Sequence, residues 1–248
     1  GAVLVFWNGW TIAASMPGFE GIARQTRLQF RPIFQTYPTF PPDTLLYFLN
    51  PPMESPYISG LMFLRYGKDV VARGVDTDGQ AGLRDHNAAW VFFQDDAKLW
   101  QAFPVTRQVS ARAAPDLPVR FAGQIALENF ELTRDQIRRG ESLAIILYWR
   151  ALAPIEKDYT IFAHLVGARG EIVAGTDTPP RQGNFPTRAW RVNDWVPDGI
   201  VIQIEPDVPP GEYKLVIGLY ELATMQRLVV EDHVPSDSIV ISPMWIVE

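Results

Sequence analysis

Residues 212–220 read Glu-Tyr-Lys-Leu-Val-Ile-Gly-Leu-Tyr, behind the turn signal Pro209-Pro210-Gly211. Successive side chains of a strand point to opposite faces. Tyr213, Leu215, Ile217 and Leu219 therefore share one face, and Lys214, Val216, Gly218 and Tyr220 share the other. Ile200, Ile202 and Ile204 repeat the pattern. Working outward, Phe121–Leu132, Ser142–Ala151, Tyr159–Val166, Glu171–Thr176, Arg227–Val230 and Ser238–Val247 read as further short strands. Gly140 and Arg169-Gly170 punctuate them, and the Arg169-Gly170 pair reads as a hairpin turn with glycine at positive φ. About eight short strands with such punctuation specify a sandwich or barrel.

Upstream the pattern is mixed. Residues 18–37 carry apolar positions among Arg24, Arg27 and Arg31 and predict an amphipathic helix that ends at Pro32. Thr44–Leu49, Asp69–Val75 and Ala88–Gln94 read as strands. Tyr57–Tyr66 reads as a helix, and Asp95–Phe103 as a short second one. Strand, helix, strand, strand indicates a small layer with a partly parallel sheet. The polar stretch from Pro104 to Pro118 reads as a linker. The expected fold is α+β overall: an α/β module over 17–110, then an all-β sandwich over 118–248, Ig-like or jelly-roll-like with about eight strands. Residues 1–16 form an apolar segment with two readings: a buried element of a soluble domain, or the outer end of a membrane helix with Trp7 and Trp10 at the interface. Its apolar run is far shorter than the roughly 20 residues of a spanning helix. It also lacks the basic start of a signal peptide.

Composition narrows the chemistry. The 248 residues are 47% hydrophobic and 20% charged, as in folded domains. A net charge of −6 argues against nucleic acid as a partner, because phosphate neutralisation needs a basic face. The absence of cysteine removes disulfides, thiolate metal sites and thiol nucleophiles. His86, His164 and His233 do not have metal-site spacing, so no metal and no cofactor is expected. His164 reads as a hydrogen-bonded strand histidine. The adjacent carboxylates Asp95-Asp96 and Glu231-Asp232 read as solvated turns, since neighbours in a strand face opposite ways. No nucleophile elbow, phosphate loop or dinucleotide fingerprint occurs. No catalytic residue is assigned.

The most unusual stretch is Asp177–Trp195, DTPPRQGNFPTRAWRVNDW. Aromatic faces stack on sugar rings, while Asn, Asp and Arg satisfy hydroxyls. The candidate ligand-binding residues are accordingly Asp177, Arg181, Asn184, Trp190, Asp194 and Trp195. The alternative is a long loop that caps the sandwich with Trp190 as its plug. Loops on a rigid scaffold are where binding sites concentrate.

Longer phrases carry a resemblance. They are SLAIILYWRALAPIEKDYTIFAHLVGARGEIVAGTDTPP, NFPTRAW and VPPGEYKLVIGLYELATMQRL. With Tyr148-Trp149, Asp158-Tyr159, Phe162, His164-Leu165, Gly170, Asp177, Pro179-Pro180, Pro186-Thr187, Trp190 and Pro210 to Tyr220, the chain resembles the extracytoplasmic carboxy-terminal region of Chloroflexi-type multi-spanning membrane glycosyltransferases of the protein-mannosyltransferase type. It departs from that pattern at Trp190-Arg191-Val192-Asn193-Asp194-Trp195, where Pro-Gly-Glu tends to follow the tryptophan. The resemblance implies an extracytoplasmic, non-catalytic accessory domain tethered to the cell membrane on its N-terminal side. It implies a glycan, a lipid-linked sugar, upstream membrane helices or a partner protein as contacts. The catalytic acids of such enzymes lie near their first membrane helices, so none is carried over. The competing expectation is a carbohydrate- or protein-binding structural subunit of a surface assembly.

Overall fold

The computed structural model of the chain describes residues 24, 26–74, 86–94, 98–105, 117–231 and 236–248. The readings placed on residues 1–16, on Asp95-Asp96, on His233 and on most of the 104–118 linker lie outside them. The chain forms two compact units, Gly1–Phe40 and Pro41–Glu248. In the first, helix α1 covers 26–36. The expectation that it ends at Pro32 is corrected. Proline forfeits one main-chain bond, and the following turn keeps its own, with Tyr37 N–H donating to the Ile33 carbonyl at 2.8 Å.

Among the described residues, the second unit holds three sheets. The first contains β1 (Thr44–Phe48), β2 (Val70–Gly74), β3 (Ala88–Gln94) and β4 (Trp100–Val105) in the order β2-β1-β3-β4. β1 runs parallel to β2 and β3, and β4 runs antiparallel to β3. Helix α2 (Ser55–Tyr66) makes the crossover from β1 to β2. Pro56 lies in its first turn, and Gly67 at φ +82° ends it. Ser59 and Ser55 pin it to β2, through the Ala72 carbonyl at 2.8 Å and the Gly74 N–H at 2.9 Å. The short helix expected over Asp95–Phe103 is corrected: Trp100–Val105 is strand β4. As an edge strand, β4 tolerates Pro104, which cannot donate to a neighbour. Its Phe103 packs in the cluster that joins the two layers.

The sandwich follows. One sheet contains β5 (Val119–Phe121), β6 (Ile125–Leu132), β8 (Ser142–Ala151) and β11 (Trp195–Gln203), ordered β11-β8-β6-β5. The other contains β7 (Gln136–Arg138), β9 (Tyr159–Val166), β10 (Ile172–Thr178), β12 (Gly211–Glu221) and β14 (Ile239–Val247), ordered β10-β9-β12-β14-β7, with the short β13 (Gln226–Arg227) paired to β12. The fold class is the expected one, β-rich α+β with a β-sandwich. The single strand read over Phe121–Leu132 is two strands, because Ala122 and Gly123 turn the chain at positive φ. The hairpin turn between β9 and β10 carries Gly170 at φ +86°, as its sequence predicts.

The main core lies between the sheets. Leu143, Ile145, Leu147 and Trp149 of β8 meet Ile161, Ala163 and Leu165 of β9 and Tyr213, Leu215, Ile217 and Leu219 of β12. The opposite face of β8 is buried too. Ala144, Ile146 and Tyr148 pack against Tyr47, Leu49, Val91 and Phe93 of the parallel sheet. Gly199 of β11 permits this approach, since a Cβ there would lie 1.9 Å from Leu49 Cδ2. β8 is therefore a central strand sealed on both sides, which is why Ser142–Ala151 is almost continuously apolar.

Candidate functional site

The segment between β10 and β11 contains the candidate residues, and most of them turn inward. Trp190 is 3% exposed, donates its indole N–H to the Phe185 carbonyl at 3.0 Å and tilts against the Phe185 ring. Asp194 is buried and accepts the Arg191 N–H at 2.8 Å. Trp195 opens β11 and packs between the two layers. Asn184 is half-buried and donates to the Arg181 carbonyl at 3.0 Å. This is the geometry of a cap, with Trp190 as plug.

Arg181 is the centre of that cap. Arg181 and Gln182 take positive φ ahead of Gly183, a left-handed turn costing on the order of 1 kcal/mol per non-glycine residue. The turn aims the Arg181 N–H at Asp198 Oδ1, 3.0 Å away. The side chain passes over the β11 edge, donates to the Pro197 carbonyl at 3.4 Å and lays its guanidinium over the Tyr47 ring at 4.5 Å. Cation–π contact of a desolvated guanidinium is worth about 2 kcal/mol. Arg181 thus ties the cap, the sandwich edge and the parallel sheet together. Burial pushes the Asp198 carboxyl up to about 6, against the opposing pull of the Arg181 N–H, the Arg181 charge and the Gly199 N–H.

Asp177 alone of the six lies on the outer face of the larger sheet. It meets His164 Nε2 at 2.6 Å. Burial, then the bond with Asp177, raises the Tyr220 phenol. The His164 ring occupies the space above Gly175, and the Phe162 ring the space above Gly218, with the Arg227 guanidinium 4.5 Å over Phe162. The expected reading of His164 as a hydrogen-bonded strand residue matches its bond to Asp177.

One accessible polar surface among the described residues lies at an end of the sandwich, beside the β8–β9 loop. Two adjoining depressions of about 480 and about 460 Å³ share Glu156, Lys157 and Glu221. The pairing of β9 with β12 sets Tyr159 opposite Glu221 and brings the β8–β9 loop beside the β12–β13 turn. Lys157 Nζ donates to Glu221 Oε2 at 2.7 Å, and Thr224 Oγ1 donates to the same oxygen at 2.9 Å. Those two bonds hold Glu221 below the usual carboxylate range, and Glu221 raises Lys157. Gln124, Tyr159, Gln226 and Arg227 line the first depression; Asp158 and Arg188 line the second.

The 177–195 segment shapes this trough from behind. The buried Thr187 hydroxyl donates to the Lys157 carbonyl at 2.7 Å and accepts the Tyr159 N–H at 3.0 Å. Arg188 pairs with Asp158 at 2.7 Å. Of this segment only Arg188 lines either depression, and none of the six candidate residues does. Lys157, Glu221, Gln124 and Gln226 carry no local motif, and strand pairing alone brings them together.

Among the described residues, no helix is long and apolar enough to cross a membrane, and no group of three or more His, Asp or Glu side chains could hold a metal ion. No family model matches the chain, and no curated protein matches it. Among solved structures the chain is similar to the C-terminal domain of Wzt, at 11% identity and a TM-score of 0.39, over 56% of this chain and 83% of that one. It is also similar to Pseudomonas fluorescens alkylpurine DNA glycosylase AlkC bound to DNA containing an abasic site analog, at 11% identity and a TM-score of 0.33, over 51% of this chain and 31% of that one. At such scores neither likeness bears on ligand or activity.

Proposed function

We propose that this chain is a non-catalytic accessory domain that holds a glycan in the trough at the loop end of its sandwich. We propose further that it is the extracytoplasmic, membrane-tethered part of a glycosyltransferase-like protein. The observation supporting the first statement is the trough itself: amide, carboxylate, ammonium and guanidinium groups converge on two adjoining depressions. Each depression falls within the roughly 300–1,000 Å³ usual for ligand sites. The loop that presents Lys157 and Tyr159 is braced by the buried Thr187 bonds, which lowers its ordering cost for a ligand. The sequence resemblance supports the second statement.

Calorimetric titration of the protein with a panel of oligosaccharides tests the binding role. Saturable binding that perturbs NMR signals of residues 154–159 and 221–229 is expected. Saturable binding that perturbs only residues elsewhere, or no binding by any member of the panel, overturns it. The reading frame upstream of Gly1 tests the placement: a series of apolar spans is expected, and an initiator Met close to Gly1 overturns it.

A further inference from the structure

We infer that the trough takes a neutral sugar chain, lying across the Lys157–Glu221 ion pair with a part in each depression; this rests on reading the trough as the glycan site. The charges lining the two depressions balance. Lys157, Arg188 and Arg227 stand against Glu156, Asp158 and Glu221. They are also paired locally. Lys157 meets Glu221 at 2.7 Å, Arg188 meets Asp158 at 2.7 Å, and Arg227 meets Asp237 at 3.3 Å. An anionic ligand would have to break these pairs and then face Glu156, with no surplus of positive charge to draw it in.

A hydroxyl makes no such demand. An ammonium has three N–H donors, and the bond to Glu221 uses one of them. A carboxylate has two oxygens, and the bonds from Lys157 and Thr224 both fall on Glu221 Oε2. The pair can therefore donate to one hydroxyl and accept from the next without being parted. Gln124 and Gln226 offer an amide donor and acceptor beside it. Val229, 54% exposed, supplies an apolar patch in the same depression for the C–H edge of a ring. The ion pair lines both depressions, so a chain with a part in each crosses it.

Calorimetry with neutral gluco-oligosaccharides of increasing length, and with uronic-acid oligomers of matched length, tests this. Affinity should rise about tenfold or more from the monosaccharide to the longer neutral chains, and the uronic-acid series should bind at least about tenfold more weakly. Lys157→Ala and Glu221→Ala should each weaken the neutral chain by about tenfold, the scale of one lost charge-assisted hydrogen bond. Both variants should fold, since an exposed pair adds little stability. Tighter binding of the uronic-acid series overturns the neutral-chain inference and leaves the glycan reading standing. Neutral binding that is independent of length, or unchanged by both substitutions, overturns the placement across the pair. Binding of no sugar in either series overturns both readings.

Discussion

Asp198 offers the sharpest test of how the cap is held. It lies on β11, 1% exposed, between the inward-facing Val196 and Ile200. Its Oδ1 accepts N–H bonds from Arg181 and Gly199 at 3.0 and 2.9 Å, and its Oδ2 has no hydrogen-bond partner among the described residues. Burial raises its pKa from 3.8 to about 6. For an acid the sign follows directly: between about pH 4 and about pH 6 the folded chain holds a proton that the unfolded chain has released, so folding stability falls as pH rises. At about 1.36 kcal/mol per pH unit, the rise corresponds to about 3 kcal/mol, present in full below pH 3.8 and lost above about pH 6. Asp198→Asn keeps an acceptor for both N–H groups and cannot ionise. It places an amide N–H₂ where Oδ2 stood, at a cost of about 1–3 kcal/mol that does not vary with pH. Urea unfolding of both proteins from about pH 4 to about pH 8 isolates the effect, because every other titrating group cancels in the difference. The variant should gain about 2.4 kcal/mol on the parent across that range, the rest of the loss lying below pH 4. A difference constant within about 1 kcal/mol would refute the assignment of a buried, upshifted carboxyl.

Two further outcomes concern packing. Gly199→Ala should cost about 1–3 kcal/mol in chemical denaturation, because its Cβ would lie 1.9 Å from the buried Leu49 Cδ2. Much of that loss should disappear in the Leu49→Ala background, and strict additivity would contradict the contact. Trp190→Phe removes the bond to the Phe185 carbonyl and some ring volume, and should lower the denaturation midpoint by the equivalent of about 1–3 kcal/mol. It should leave sugar affinity within about twofold, and a larger loss measured by calorimetry would place Trp190 in contact with ligand.

How far the sequence could be read depended on what each residue faces. The alternation at Tyr213, Leu215, Ile217 and Leu219 was plain because one side of β12 meets the core and the other does not. Ser142–Ala151 was readable as a strand but not as a strand sealed on both faces, since a continuous apolar run does not say what covers it. Asp95–Phe103 reads as helix and Pro104 as the start of a linker, whereas Trp100–Val105 is strand, because an edge strand with proline and mixed exposure has no clear period. The candidate residues show the same limit. Tryptophan, arginine and asparagine in a long loop suit either a ligand or a cap, and composition does not encode which way the side chains face. Direction came from Thr187, Arg181 and Asp198, whose buried bonds reach across 16 to 30 residues of chain. The trough depends on the register of β9 against β12, a long-range quantity that local patterns do not encode.

The double sealing of β8 has a practical consequence for anyone cutting the gene. A fragment beginning at Pro118 would keep every strand of the sandwich and lose the layer that covers Ala144, Ile146, Tyr148 and Val201. It would also strip the ring on which the Arg181 guanidinium rests. Such a fragment would present a bare apolar sheet face to water, the kind of surface on which chains clump. The smallest well-behaved expression unit therefore starts no later than Pro41, ahead of β1, and the sandwich travels with its parallel sheet as one cargo.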